Sequence, residues 1–170
     1  MINDLMDVSL ITTGKMDLQL EDTDLVNVTK QVSMSFSEVL KKGKYKVKIN
    51  TKSPVIGKWD KVRLEQVITN LFSNAIKYGS NKPIEIKILK NKNQGKFIIK
   101  DQGIGIPSKQ QKVIFDLFKR APGPGEYKKG LGVGLYISSQ IVKIHGGKIN
   151  VSSAPAKGTT FTIELPLRGF

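Results

Sequence analysis

The sequence has no cysteine, which excludes disulfides and thiolate chemistry and fits a reducing, cytoplasmic setting. Arginine is scarce: among 28 lysines and arginines only Arg63, Arg120 and Arg168 carry a guanidinium. There is a single histidine, His145, and a single tryptophan. No apolar run approaches the roughly 20 residues that span a bilayer. No succession of basic, apolar and small residues opens the sequence as a signal peptide would. Acids number only 14, leaving a net charge of +14. A surplus of that size suits nucleic acid, an anionic membrane surface or an anionic ligand. Arginine is the better reader of phosphate and guanine edges. A lysine surplus scattered through strand-like stretches such as "KKGKYKVKIN" therefore reads as solvation, and no nucleic-acid partner is expected.

What is present is ordinary for one soluble domain: 170 residues, 39% hydrophobic and 25% charged. "MINDLMDVSLITT" places Ile2, Leu5, Met6 and Ser9 at helical spacing, with Gly14 as a stop. "KMDLQLED" alternates as a short strand. From Asp24, a good N-cap, an apolar stripe runs through Val28, Val32, Phe36 and Leu40 towards Gly43. "YKVKIN" reads as a strand, and "PVIGKW" as a short connection. Asp60 then caps a long helix whose stripe is Leu64, Val67, Ile68, Leu71, Phe72, Ala75 and Ile76. Asn70, Asn74 and Lys77 fall off that stripe, one turn apart, and share a face. Asparagine is a poor helix former, so two on one face of a helix call for a reason. "PIEIKILK" and "KFIIKDQG" form a hairpin, "KRAPGPGEYKKG" a mobile loop, "LGVGLYISSQIVKIHGG" a helix, and "KINVSS" with "TTFTIELPL" a closing strand pair. Helices interleaved with hairpin-linked strands predict an α+β domain, one mixed sheet covered on one face by helices.

Two glycine clusters compete for phosphate binding. "DQGIGI" follows a strand but has Ser108 where a dinucleotide fingerprint needs a third glycine. "GLGVGL" opens a helix without a preceding strand, and no segment matches the P-loop pattern. Taken in order, however, the motifs form a set: Asn-x-x-x-Asn-Ala-x-Lys-Tyr, Asp-x-Gly-x-Gly, Phe-x-x-Phe, Gly-x-Gly-x-Gly-Leu and Gly-Thr-Thr-Phe. From about Met1 to Leu167 the chain resembles the catalytic ATP-binding domain of sensor histidine kinases, within the wider family shared with DNA gyrase, Hsp90 and MutL.

The resemblance implies the Bergerat fold, a two-layer sandwich whose mixed, largely antiparallel sheet of about five strands carries about three helices on one face. It implies ATP and Mg²⁺ as ligands. Asn70 and Asn74 would form the magnesium and phosphate face, since amide oxygens suit a hard cation that takes its other ligands from water and phosphate. Lys77 would face the phosphates and Tyr78 pack along the nucleotide. Asp101 would accept from the adenine amino group, which an acceptor-only carboxylate suits and the O6 of guanine opposes. Gly103 and Gly105 would let the backbone approach the base. Gly130, Gly132 and Gly134 would offer amides at a helix N-terminus, and Arg120, Lys128 and Lys129 would reach from the lid to the terminal phosphates. Ile106, Leu131, Val133, Leu135 and Thr159 complete the expected nucleotide contacts. Phe115 and Phe118 match either the family's aromatic box or simple core aromatics.

His145 ends a helix, where a cation offsets the dipole, and the family does not use a histidine there as phosphoacceptor. That acceptor lies in an upstream helical hairpin, of which residues 1–15 resemble the tail plus linker, leaving 16–170 as the catalytic domain. The expectation is thus a fragment, itself monomeric, of a dimeric parent that passes phosphate through its own hairpin to a response regulator. Two other functions stay open: an ATP-hydrolysing conformational switch, although those relatives carry a glutamate where Asn70 stands, and an anion-binding module with a degenerate nucleotide site.

Overall fold

The computed structural model describes residues 2–119 and 132–168. Its helices are α1 (Ile2–Thr12), α2 (Leu25–Ser35), α3 (Ser37–Lys42), α4 (Lys61–Tyr78), α5 (Ser108–Gln111) and α6 (Gly134–Ile144). Its strands are β1 (Glu21–Asp24), β2 (Val47–Thr51), β3 (Ile56–Trp59), β4 (Ile84–Asn91), β5 (Gln94–Lys100), β6 (Lys148–Ser153) and β7 (Thr159–Pro166). Five strands make the main sheet in the order β2-β4-β5-β7-β6, and β1 pairs with β3 in a separate two-stranded sheet. Only β2–β4 is parallel in the main sheet; its other pairs are antiparallel. The mixed, largely antiparallel α+β architecture expected from the sequence is the one observed.

Alternation along the strands sets the inner face. Ile84, Ile86 and Ile88 of β4, Phe97 and Ile99 of β5, and Phe161, Ile163 and Leu165 of β7 are buried, while the residues between them are half-buried or exposed. Onto this face α4 lays Leu64, Val67, Ile68, Leu71, Phe72 and Ala75, all buried. Each larger side chain is worth about 1.5–3 kcal/mol on leaving water, so α4 is held mainly by its stripe. Asp60 starts that helix as foreseen: its carboxylate accepts from the Arg63 N–H at 3.0 Å. Phe36 packs its ring 5.1 Å from that of Phe72. Trp59 is fully buried and donates its indole N–H to the Pro166 carbonyl at 2.7 Å.

Three local expectations change. The first N-terminal strand is Glu21–Asp24 rather than the whole of "KMDLQLED", because only that part registers against Trp59 to Ile56. "PVIGKW" is therefore partly a strand, β3, and not a mere connection. The helix from Asp24 does not run unbroken towards Gly43: Phe36 leaves helical geometry, with φ −91° and ψ 3°, and α3 restarts after it.

Candidate nucleotide site

Three elements converge where the motifs lie: the polar face of α4, the turn after β5, and the start of α6. On α4, Asn70, Asn74 and Lys77 are half-buried beside the fully buried stripe. The Asn70 amide has a partner that repays its poor helix propensity. Its Nδ2 donates to the Ser138 hydroxyl of α6 at 3.0 Å, and Ser138 is buried. The same amide also explains a glycine, since a Cβ at Gly134 would run into the Asn70 side chain. Gly134 thus lets α6 approach α4 closely. Lys77 places its ammonium 5.0 Å from the centre of the Tyr78 ring, a cation–π contact that ties the two together.

At the end of β5, Asp101 is only 5% exposed. Its Oδ1 accepts from the Gly103 N–H at 2.8 Å and the Thr159 N–H at 3.2 Å. Among the described residues its Oδ2 accepts no hydrogen bond. Burial pushes the carboxyl pKa up, and the two backbone N–H donors pull it back. The chain has therefore buried an acceptor, oriented it through one oxygen and left the other open.

The turn's glycines serve the protein's own backbone. A Cβ at Gly103 would collide with the Tyr78 carbonyl, and one at Gly105, where φ is +71°, with the Ala154 carbonyl. The turn is thereby locked between the end of α4 and the β6–β7 connection. The Ile104 N–H donates to Tyr78 at 3.2 Å, and the Ala156 N–H to Ile104 at 2.8 Å. A hydroxyl pair stands behind it. Ser153 Oγ accepts from the Ile106 N–H at 2.8 Å and donates its one proton to the Gly158 carbonyl at 2.7 Å. Thr159 must then be the donor in its 2.9 Å contact with Ser153. Gln111 closes the group, giving both amide protons at 2.7 Å to the Ile106 and Ser153 carbonyls.

At α6 the first turn has no side-chain cap, so its backbone N–H groups are candidates for an anion. Gly132 adopts φ +71° on the way in. Val133 is buried and Leu135 half-buried, both packed on the core. Arg120, Lys128, Lys129, Gly130 and Leu131 lie outside the described residues. Phe115 stacks edge-on against Phe161 at 6.3 Å and belongs to the core, whereas Phe118 is exposed.

His145 is structural, as foreseen, but not as a cation. It is buried, its Nδ1 meets the Ile141 carbonyl at 2.8 Å, and its Nε2 accepts from the Asp60 N–H at 3.0 Å. Those roles require the neutral ring with the proton on Nδ1, and burial lowers its pKa accordingly. It clasps the end of α6 to the start of α4.

Ser138, Ser153 and Gln111 were not singled out in the sequence. Ser138 had one visible signal, a polar residue one turn from both Gly134 and Val142 on the buried side of α6. Ser153 and Gln111 had none. No group of three or more His, Asp or Glu able to hold a metal occurs among the described residues. Any Mg²⁺ here would rest on amide oxygens and phosphates.

Known proteins resemble the chain in sequence and in fold. A family model described as histidine kinase-, DNA gyrase B-, and HSP90-like ATPase matches residues 59–169. Cyanobacterial phytochrome B of Nostoc sp. is 37% identical over 89% of this chain and 20% of its own length. Histidine kinase P4 of Formosa agariphila is 34% identical over 98% of this chain and 13% of its own. The chain thus spans a fifth or less of these two relatives. Among solved structures, the catalytic domain of histidine kinase ThkA superposes with a TM-score of 0.80 at 25% identity, covering 89% of this chain and 99% of that one. Acinetobacter baumannii histidine kinase AdeS gives 0.78 at 25% identity, covering 98% and 76%.

Proposed function

From the premise that the chain belongs to the family of histidine kinase-, DNA gyrase B- and HSP90-like ATPases, we propose that it is the ATP-binding catalytic domain of a sensor histidine kinase. In this reading residues 16–170 bind ATP and pass its γ-phosphoryl group to a histidine on a hairpin domain, of which residues 1–15 are the last part and linker. Gly14, at φ +65°, ends α1 just before Met16 enters the core, which suits a boundary there. A dimeric parent relaying phosphate to a response regulator completes the proposal. No helix among the described residues is long and apolar enough to cross a membrane.

The observation that carries the reading is Asp101, whose open Oδ2 is an acceptor with no donor among the described residues. A purine amino group supplies the missing donor. The residues then divide the work. Asp101 orients the base, the amides at the start of α6 face the phosphates, and Lys77 supplies an ammonium to their oxygens. Asn70 and Asn74 offer amide oxygens to the metal; bound Mg²⁺ would neutralise charge on the triphosphate. Transfer breaks the bond from the γ-phosphorus to the bridging oxygen of the leaving ADP and makes one to the acceptor nitrogen. No proton-accepting side chain is needed on α4 for that. Asn70 cannot take a proton from water, which favours transfer over hydrolysis.

Calorimetric titration tests the site: ATP and ADP should bind, with Mg²⁺ tightening ATP, and GTP should be far weaker. Equal affinity for GTP would sink the adenine assignment. Labelled ATP and Mg²⁺ should leave this chain unlabelled, and a phosphoacceptor hairpin added in trans should gain acid-labile phosphate. Label on His145 would overturn the division of roles.

A further inference from the structure

Charge is unevenly distributed along the chain. Residues 1–24 hold six acids and one lysine, whereas stretches 41–52 and 82–100 hold twelve lysines and one acid, Glu85. The two basic stretches meet in space, because β2 pairs with β4 and β4 with β5. Register decides which lysines share a face. Lys48 lies across from Glu85, which lies across from Lys100; Lys87 lies across from Ile98, and Leu89 from Lys96. These are the outward positions of the sheet, alternating with the buried isoleucines and phenylalanine. Glu164 of β7 continues the face, salt-bridged to Lys96 at 2.7 Å and in register with Lys148 of β6. Lys48, Lys87, Lys100 and Lys148 are exposed, and Leu89 is 42% exposed among them.

We propose that this lysine-studded outer face of the sheet docks on an anionic lipid surface, by contacts separate from the nucleotide site. Composition chooses the partner. Protein interfaces are depleted in lysine and enriched in arginine and aromatic rings. Nucleic-acid surfaces use guanidinium forks on phosphate and rings on bases. The outward positions of β2, β4, β5, β6 and β7 carry no arginine and no aromatic residue. Long, flexible ammonium groups need no directional partner, only a plane of negative charge, and headgroups provide one. Leu89 gives the same face an apolar tip to lower into the headgroup region. Glu85 and Glu164 each sit between two lysines in register, so the face stays net positive.

Each lysine brought near such a surface strengthens partition by about five-fold. The test is flotation of the intact chain with vesicles of phosphatidylglycerol and phosphatidylcholine, against vesicles of phosphatidylcholine alone. Binding should appear only on the anionic vesicles and disappear at high salt. The triple variant Lys48→Gln, Lys87→Gln, Lys100→Gln should lose about a hundred-fold in partition, with unchanged thermal unfolding. A control variant, Lys109→Gln, Lys112→Gln, Lys143→Gln, removes as much charge from exposed sites off the sheet and should lose far less. Equal losses from the two variants would refute a defined face, and failure of the unaltered chain to float would refute the docking altogether. Oligo-dT that bound more tightly than the vesicles and was lost in the sheet variant would make this a nucleic-acid surface instead. None of these results depends on whether the chain binds ATP.

Discussion

Asp101→Asn should separate what this carboxylate does for the fold from what it does for a ligand. The wild-type Oδ1 accepts two backbone N–H groups, from Gly103 and Thr159. An asparagine Oδ1 accepts both equally well. The folded pKa of Asp101 is raised, chiefly by burial. A raised acid pKa means that folding disfavours the charge: the cost is fully present above the folded pKa and is relieved as pH falls through it. The neutral amide removes that cost, so the asparagine variant should unfold no earlier than the parent at neutral pH. Asp101→Ala should behave otherwise, because it leaves two buried N–H donors without acceptors at about 1–3 kcal/mol each.

Nucleotide binding should move the other way. Asparagine presents its Nδ2 donor where Oδ2 stood, facing the donor of the adenine amino group. Loss of a hydrogen bond to a charged acceptor costs about 1.5–3 kcal/mol, or roughly 10- to 150-fold in Kd. The O6 acceptor of guanine suits the new donor, so the preference for ATP over GTP should narrow by at least that factor. Calorimetry with both nucleotides and thermal unfolding of the three proteins read out every arm. If the asparagine variant kept wild-type ATP affinity, or fell with alanine in stability, the reasoning would be refuted.

The remaining expectations follow from contacts around the site. Gly134→Ala should cost about 1–3 kcal/mol through collision with the Asn70 amide. Adding Asn70→Ala should recover part of that loss, a non-additivity that denaturant unfolding measures. Ser138→Ala removes the partner of Asn70 Nδ2, costing about 0.5–1.5 kcal/mol of stability; ATP affinity measured with Mg²⁺ should fall while affinity without it stays put. Arg63→Ala leaves the buried Asp7 with only Gln66, so hydrogen exchange should rise in α1 before it does in α4. His145 has a folded pKa below its unfolded 6.5, so its contribution is intact above that pH and is lost as pH falls below it. His145→Gln, whose amide can serve both partners, should flatten that decline in urea midpoints measured from neutral to mildly acid pH.

Legibility in the sequence followed the range of the interaction that decides each feature. α4 could be placed from its start because a local cap, Asp60, and a periodic stripe act within the segment itself. β1 could not: three of the four residues in "EDTD" are acids, which strands disfavour, and it is extended because Thr23 and Trp59 fix the pairing with β3. The break at Phe36 was equally hidden, since Val39 and Leu40 continue the apolar spacing past it. The site shows the same division more sharply. Asp101, Asn70, Asn74 and Lys77 could be singled out as candidates because their order along the chain is informative, even though each motif alone is weak. What supports them was invisible, because it arrives from far away: Ser138 reaches Asn70 across 68 positions, and Asp60 meets His145 across 85. The histidine's place at a helix end was readable, yet its charge was not, since a distant donor, the Asp60 N–H just before α4, decides it. The glycines carry the strongest lesson. Gly103, Gly105 and Gly158 are each explained by a carbonyl of the chain itself, at Tyr78, Ala154 and Asp101. A glycine-rich turn is therefore no evidence of a phosphate cradle on its own, and in this protein the pointer to a ligand is the second oxygen of the Asp101 carboxylate, which accepts nothing among the described residues.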